Sequence, residues 1–129
     1  MFNGFRQRYK QKVQKKLEEA VVSYFTAHPE VKLIVVTGSV GKTSTKTALA
    51  TMLSQRYRVH MHEGNHNTEL SVPLAILNVP LPENVRSFSQ WRAAVKAARA
   101  RTLMPTDVDV IIQELGADHP GDIAAFGRY

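Results

Sequence analysis

The chain has 129 residues, a formal net charge of +6 and no cysteine. That length suits one domain with a core of its own, and the lack of cysteine excludes disulfides and thiolate metal sites. No apolar run approaches the ~20 residues of a membrane span, and the start, MFNGFRQRYKQK, lacks the apolar core of a signal peptide. We therefore expect a cytoplasmic protein with no transmembrane segment.

The positive charge is concentrated in the first 16 residues, which hold six basic side chains and no acid: Arg6, Arg8, Lys10, Lys12, Lys15 and Lys16. Without them the 17 basic residues of the chain fall to 11, equal to its 11 acidic residues. Apolar residues recur at mostly four-residue steps from Phe5 to Tyr24, which predicts a helix with one apolar edge, ended by His28 and Pro29. We interpret residues 1–29 as a basic amphipathic helix and connector, and contact with nucleic acid or an anionic membrane is the alternative.

The stretch VKLIVVTGSVGKTSTKTALA, residues 31–50, predicts a strand, a phosphate-binding loop and a helix. Gly38 and Gly41 admit backbone conformations closed to residues with a Cβ, so the loop amides can converge on a phosphate. The helix beginning near Lys42 adds its positive end. Lys42 can reach the β- and γ-phosphates of a nucleotide, and the Thr43 hydroxyl can ligate the Mg²⁺ that they carry. The candidate nucleotide-binding residues are Gly38, Ser39, Val40, Gly41, Lys42, Thr43 and Ser44.

Further strand and helix segments follow this loop. A helix over residues 43–55 leads to a short strand over 57–61, and two more helices are predicted around 72–77 and over 87–103. His60, His62 and His66 lie around the intervening polar loop, but their spacing matches no zinc pattern, so we predict no metal site there. Trp91 falls on the apolar face of the last helix and is interpreted as a core residue.

The third predicted strand, DVDVIIQE over residues 107–114, is apolar enough to be covered on both faces. It ends in Glu114, and a strand beside a phosphate loop often ends in an acid that holds Mg²⁺ directly or through water. Parallel strands place their carboxyl ends at one edge of a sheet. We therefore expect Lys42 and Glu114 to lie together as catalytic residues, with Thr43 and Glu114 as the metal ligands. The alternation of strands and helices predicts a three-layer α/β domain with a mostly parallel sheet.

Three separated blocks of the sequence keep the order and approximate spacing of one known family. The blocks TGSVGKTSTK (37–46), GNHNTELSVPLAIL (64–77) and ELGADHPGDIA (114–124) resemble the central, ATP-binding domain of the Mur ligases. They are most similar to the branch that adds D-alanyl-D-alanine to a UDP-muramoyl tripeptide in peptidoglycan synthesis. The resemblance assigns residues 30–129 to the front portion of that domain, which is P-loop NTPase-like and incomplete here.

The resemblance implies an ATP-dependent ligase that forms a carbon–nitrogen bond through an acyl phosphate, with ATP and Mg²⁺ as cofactors. Lys42 would contact the ATP phosphates, Thr43 and Glu114 the Mg²⁺, and Asn65, Asn67 and Thr68 the substrate. The partners would be a UDP-linked muramoyl peptide or similar acid, and an amino acid or dipeptide amine. Family members carry further domains, so we expect this chain to bind Mg-ATP without completing a turnover alone.

Other functions remain open at this stage. The same family includes ligases of the folylpolyglutamate and cyanophycin synthetase types, which join other acids. A small kinase would need an aspartate-ended strand and an arginine-bearing lid, and Glu114 argues against that class. A non-catalytic module that binds a nucleotide, or nucleic acid through the basic helix, is the remaining alternative.

Overall fold

The computed structural model describes residues 2–62, 68–116 and 120–127. Within them the chain alternates strands and helices, as an α/β protein does. The strands are β1 (Lys32–Val36), β2 (Val59–Met61) and β3 (Val110–Glu114). The helices are α1 (Phe2–Ala27), α2 (Lys42–Leu53), α3 (Ser71–Ile76), α4 (Phe88–Leu103) and α5 (Asp122–Phe126). No helix in the described ranges is both long and apolar enough to cross a membrane.

The three strands form a small parallel sheet in which β3 lies between β1 and β2. The central position explains why all five residues of β3 are buried. The predicted strands are confirmed, but β3 begins at Val110 and not at residue 107. The reason is that Asp109 donates its backbone amide to the Arg58 carbonyl and accepts from Arg58 through its carboxylate, which turns the chain before the strand begins.

Side chains of β3 alternate between the two faces of the sheet, because successive residues of a strand point to opposite sides. Ile111 belongs to a core cluster that also contains residues of α1, α3 and α4. Ile112 packs on the other side with Leu49 and Leu53 of α2. Helices therefore cover both faces of the sheet. Glu114 is two residues after Ile112 in β3, so its side chain lies on the same face, the one covered by α2.

Helix α1 packs along α4 and contributes to the main core. Val13, Leu17, Val21 and Tyr24 are buried, as their four-residue spacing predicts. Phe5 is 64% exposed and so does not continue this buried edge. The six basic side chains counted in the sequence are all exposed. The predicted end of the helix at His28 is confirmed.

Helix α4 begins with the hydroxyl of Ser87, which accepts a hydrogen bond from the Gln90 backbone amide at 3.3 Å. The Gln90 side chain does not return that bond, because its oxygen accepts from the Asn84 amide. Trp91 is buried against α1, as predicted, and its indole nitrogen donates to the Val85 carbonyl at 3.0 Å. The helix start is thereby fixed to the loop that precedes it.

The Arg58–Asp109 pair gives folding stability a defined acid dependence. Hydrogen bonds from the Arg58 side chain and backbone amide lower the pKa of Asp109 to about 2. A carboxyl whose pKa lies below its unfolded value of about 3.9 contributes stability that is lost as the pH falls from about 4 to about 2. We expect the urea midpoint of Asp109→Asn to fall less than that of wild type as the pH is lowered over this interval. Asp107→Asn is the control and should behave as wild type does. Equal acid dependence in wild type and Asp109→Asn would contradict this assignment.

Candidate nucleotide site

The loop between β1 and α2 has the backbone conformation that its glycines were expected to allow. Gly38 has a φ of 144° and Gly41 a φ of 79°, both in the region where a side chain causes strain. Ser39 and Val40 between them are exposed, and the Val40 side chain is 91% exposed. The loop backbone is therefore open to solvent rather than packed under its own side chains.

Helix α2 starts immediately after this loop with Gly41 at its N-cap position. No side chain in the described part of the chain caps the helix, and its first turn contains no acidic residue. The first amides of a helix have no intrahelical partner and lie at its positive end. Thr43 and Ser44 in this first turn are exposed. This end of α2 is suited to bind an anion through its backbone and hydroxyl groups.

Lys42 folds back across the loop. Its ammonium group donates a hydrogen bond of 2.7 Å to the Gly38 carbonyl, which joins the two ends of the glycine motif. The side chain therefore stays beside the loop amides instead of extending into solvent. A phosphate placed on those amides would compete with the Gly38 carbonyl for the same ammonium group.

Glu114 lies at the same edge of the sheet as the loop. It is the register partner of Val36, the last residue of β1. One residue further, the Leu115 amide donates to the Val36 carbonyl at 2.9 Å, and the Thr37 hydroxyl donates to the Leu115 carbonyl at 3.3 Å. These bonds fix the start of the loop to the end of β3. The expected proximity of the loop and Glu114 is confirmed.

A second lysine, which the sequence analysis did not assign to the site, contacts Glu114. Lys46 is only 3% exposed, and its ammonium group lies 3.4 Å from Oε2 of Glu114, which is itself 5% exposed. The same ammonium group donates to the His62 carbonyl at 3.1 Å. Lys46 follows Lys42 by four residues, a spacing that places both on one side of a helix, and this spacing was the available signal.

Of the three predicted substrate residues, the structure describes Thr68. Asn65 and Asn67 lie outside the described residues, as does His66. Thr68 is described, and its hydroxyl lies 2.7 Å from the Ser71 hydroxyl at the start of α3. Its backbone amide also donates to the Ser71 hydroxyl at 3.0 Å, so Thr68 organises the turn into that helix. The ring of His60 contacts the Ala75 carbonyl at 3.0 Å.

Comparison with known proteins connects this geometry to one family. The profile of the Mur ligase middle domain matches residues 36–126, which include the loop, Lys46 and Glu114. A UDP-N-acetylmuramoyl-tripeptide–D-alanyl-D-alanine ligase of Borreliella burgdorferi is 41% identical over 73 residues, covering 57% of this chain and 16% of the relative. The protein of the same name from Treponema pallidum is 31% identical over 107 residues, covering 81% of this chain and 23% of the relative.

A third relative of that name, from Bacillus subtilis, is 29% identical over 94 residues, which are 73% of this chain and 21% of the relative. The chain thus spans about a fifth of the length of these relatives. No solved structure gives a significant match. Because the family profile covers most of the sequence, from the last residue of β1 to the last residue of α5, the chain belongs to the Mur ligase family.

Proposed function

We propose that this chain is the front portion of the ATP-binding domain of an amide-forming Mur ligase, with a three-layer, P-loop NTPase-like arrangement. One observation carries the proposal. The phosphate loop, the start of α2 and Glu114 lie together at the carboxyl ends of β1 and β3 in a parallel sheet. In open α/β sheets this edge is where ligands bind. The boundary between a connector at 1–29 and the ATP-binding domain at 30–129 is part of the same proposal.

The phosphates of ATP bind the loop in this proposal. The backbone amides from Gly38 to Ser44, including Ser39, Val40 and Gly41, surround the terminal phosphates. Lys42 exchanges its bond to the neutral Gly38 carbonyl for bonds to phosphate oxygens, since a hydrogen bond between two charged groups is the stronger of the two. Fixed amides and an ammonium group are the electrostatic and positioning elements that phosphoryl transfer needs.

The residues present fit a magnesium ion. Mg²⁺ in nucleotide sites takes one or two protein ligands together with phosphate and water oxygens. Thr43 offers an exposed hydroxyl, and Glu114 offers a buried carboxylate of which only Oε2 contacts Lys46 within the described residues. Bound Mg²⁺ would neutralise charge on the phosphates. Thr43 and Glu114 would hold it, while Lys46 keeps the carboxylate at the strand end.

The acid and the amine are proposed from the names of the relatives, which specify a UDP-N-acetylmuramoyl tripeptide and D-alanyl-D-alanine. ATP would be the co-substrate: its γ-phosphoryl group would pass to the carboxylate with release of ADP, and attack of the amine on the acyl phosphate would form the amide with release of inorganic phosphate. Asn65, Asn67 and Thr68 are the proposed contacts for the acid. The reaction belongs to the whole protein and takes place in the cytoplasm.

Calorimetry with Mg-ATP and Mg-ADP tests the nucleotide site directly. We expect wild-type chain to bind both, and Glu114→Gln to lose the Mg²⁺-dependent part of the affinity, because the amide keeps the shape but not the charge of the ligand. Affinity measured in EDTA should be the same in the two proteins. Glu18→Gln, on α1, is the control for loss of one acid.

Two results would contradict the proposal. The first is a folded wild-type protein that shows no heat of binding with millimolar Mg-ATP. The second is a Glu114→Gln variant with unchanged Mg²⁺ dependence, which would remove Glu114 from the metal site while leaving the loop assignment intact.

A further inference from the structure

Helices α1 and α4 lie side by side and run in the same direction. Near the start of both helices, the Tyr9 hydroxyl donates to the Phe88 carbonyl at 3.1 Å. Near the end of both, the hydroxyl of Tyr24 lies 2.9 Å from that of Thr106, just beyond α4. Both helices pack on the face of the sheet that carries Ile111, whereas α2 packs on the other face. Their outer sides are therefore turned away from the sheet.

Each of these two helices carries a row of exposed basic side chains at three- and four-residue steps, a spacing that places side chains on one side of a helix. The row on α1 consists of Arg8, Lys12, Lys15 and Lys16, and the row on α4 consists of Arg92, Lys96 and Arg99. Exposed Phe5 precedes the first row by three residues, and exposed Phe88 precedes the second by four. The two rings meet with their centroids 6.0 Å apart. Because both rows begin at rings in contact and the helices are parallel, the rows lie beside each other, and we call them together the cationic face.

The positive charge of the cationic face is almost uncompensated. None of its seven basic side chains belongs to an ion pair formed within the described residues. The sequence of α4 contains no acidic residue, and the α1 row adjoins one acid, Glu19, at its far end. Cations three or four residues apart on a helix, such as Lys12 and Lys16, repel each other. A helix face that contacts water alone typically mixes charges of both signs, so charge of one sign favours a partner that supplies the negative charge.

An apolar cluster stands at the start of the cationic face. Phe5 is 64% exposed, Val85 60% and Phe88 46%. A groove of about 480 Å³ between α1 and α4 opens beside Val85 and Phe88, and its lining is mainly aromatic and aliphatic. Peripheral helices bind anionic membranes with this combination, because cations attract the lipid phosphates while apolar side chains enter the boundary between headgroups and acyl chains. Nucleic acid would neutralise the cations but would leave the aliphatic part of the cluster in water.

We propose that the cationic face binds the surface of a membrane that contains anionic phospholipids. Its seven basic side chains contact the headgroup phosphates, and Phe5, Val85 and Phe88 enter the interface. Both helices lie along the membrane, since the rows of cations follow the helix axes. This inference does not depend on the proposed function. The phosphate loop lies at the carboxyl edge of the sheet and leads into α2 on its other face, so a chain bound to the membrane keeps the loop open to ATP.

Sedimentation with lipid vesicles tests this inference. At physiological ionic strength we expect the chain to sediment with vesicles of phosphatidylglycerol and phosphatidylcholine in equal parts, and to stay in solution with phosphatidylcholine alone. Lys12→Gln with Arg92→Gln should weaken binding to the mixed vesicles by at least about tenfold, because each basic residue near an anionic surface contributes roughly a fivefold factor. Lys32→Gln with Arg56→Gln is the matched control, since it removes two exposed charges outside the cationic face. It should weaken binding less than about twofold, because distant exposed charges are screened.

Phe5→Ser measures the apolar contribution. It should weaken binding to the mixed vesicles by at least about threefold, because the ring no longer leaves water for the interface. The substituted side chains are exposed in wild type, so circular dichroism should show unchanged helix content in all of these variants. A Phe5→Ser variant that binds as tightly as wild type would contradict insertion of the rings and with it the proposal.

The Lys42→Ala variant separates this inference from the proposed function. It should lose Mg-ATP binding in calorimetry and sediment with the mixed vesicles as wild type does. The inference is overturned if wild type does not sediment with the mixed vesicles, if it sediments equally with phosphatidylcholine alone, or if the two paired variants weaken binding equally. Binding to a single-stranded RNA oligonucleotide without binding to vesicles would also overturn it and would assign the cationic face to nucleic acid.

Discussion

Replacing Lys42 with alanine will remove most of the affinity for Mg-ATP and leave the fold intact. The ammonium group is held across the loop by its only hydrogen bond within the described residues, which goes to the Gly38 carbonyl. A charged hydrogen bond to phosphate is worth about 1.5–3 kcal/mol, which corresponds to about a 10- to 100-fold loss of affinity. Calorimetry on wild type and variant measures the loss.

Lys12→Ala is the matched control for this experiment, because Lys12 is an exposed lysine on the opposite side of the sheet. Its affinity for Mg-ATP should equal that of wild type, since exposed charges far from a site are screened by salt. If Lys42→Ala binds Mg-ATP as well as Lys12→Ala does, the phosphate loop has been assigned wrongly.

The largest loss of folding stability is expected from Lys46→Met. Methionine fills much of the space of the lysine stem but leaves Glu114 buried without its partner. Removing one member of a buried ion pair typically costs about 3–5 kcal/mol, because the remaining charge is neither paired nor hydrated. Urea unfolding followed by circular dichroism should show this as a lower midpoint with an unchanged slope.

A second substitution distinguishes loss of the ion pair from loss of packing. In the double variant Lys46→Met with Glu114→Gln no unpaired charge is buried, so we expect it to regain much of the stability lost by Lys46→Met alone. Lys42→Met, four residues earlier on the same helix, is the control and should cost less than about 1 kcal/mol, since the Lys42 ammonium group has one hydrogen bond within the described residues, to a neutral carbonyl. Equal losses for the two lysines would show that the buried pair does not stabilise the fold.

The nucleotide loop is the part of the candidate site that could be predicted best, because its determinants are local. The run Val31–Val36 followed by Gly38, Gly41 and Lys42 specifies strand, turn and helix start from short-range conformational preferences. The structure contains each of these elements within one or two residues of the predicted bounds. The family could be predicted for a related reason, because each of the three sequence blocks that indicate it is short and local.

The presence of helix α1 and the position of its end could also be predicted, but the burial of each apolar residue on it could not. Its four-residue apolar spacing fixes which side is buried, so Leu17 and Val21 are fully buried as expected. Phe5 belongs to the same pattern and is nevertheless exposed, because α4, the helix that covers this side, starts only at Phe88. The two rings meet edge to face at 6.0 Å. Sequence periodicity gives the face of a helix, whereas the length of its packing partner decides how much of that face is covered.

The sequence by itself determined the loop, the alternation of β3 side chains between the two faces of the sheet, and the acid at the end of that strand. Only the tertiary structure decided that Lys46 meets Glu114. That contact joins residues 68 positions apart on α2 and β3, and it depends on which face of the sheet α2 covers. The groove between α1 and α4 has the same origin, since Tyr9 of α1 and Phe88 of α4 both line it. Local preferences set the conformation of each segment, but contacts between distant segments exist only once helices and sheet have packed together, because burial of apolar surface fixes their relative positions.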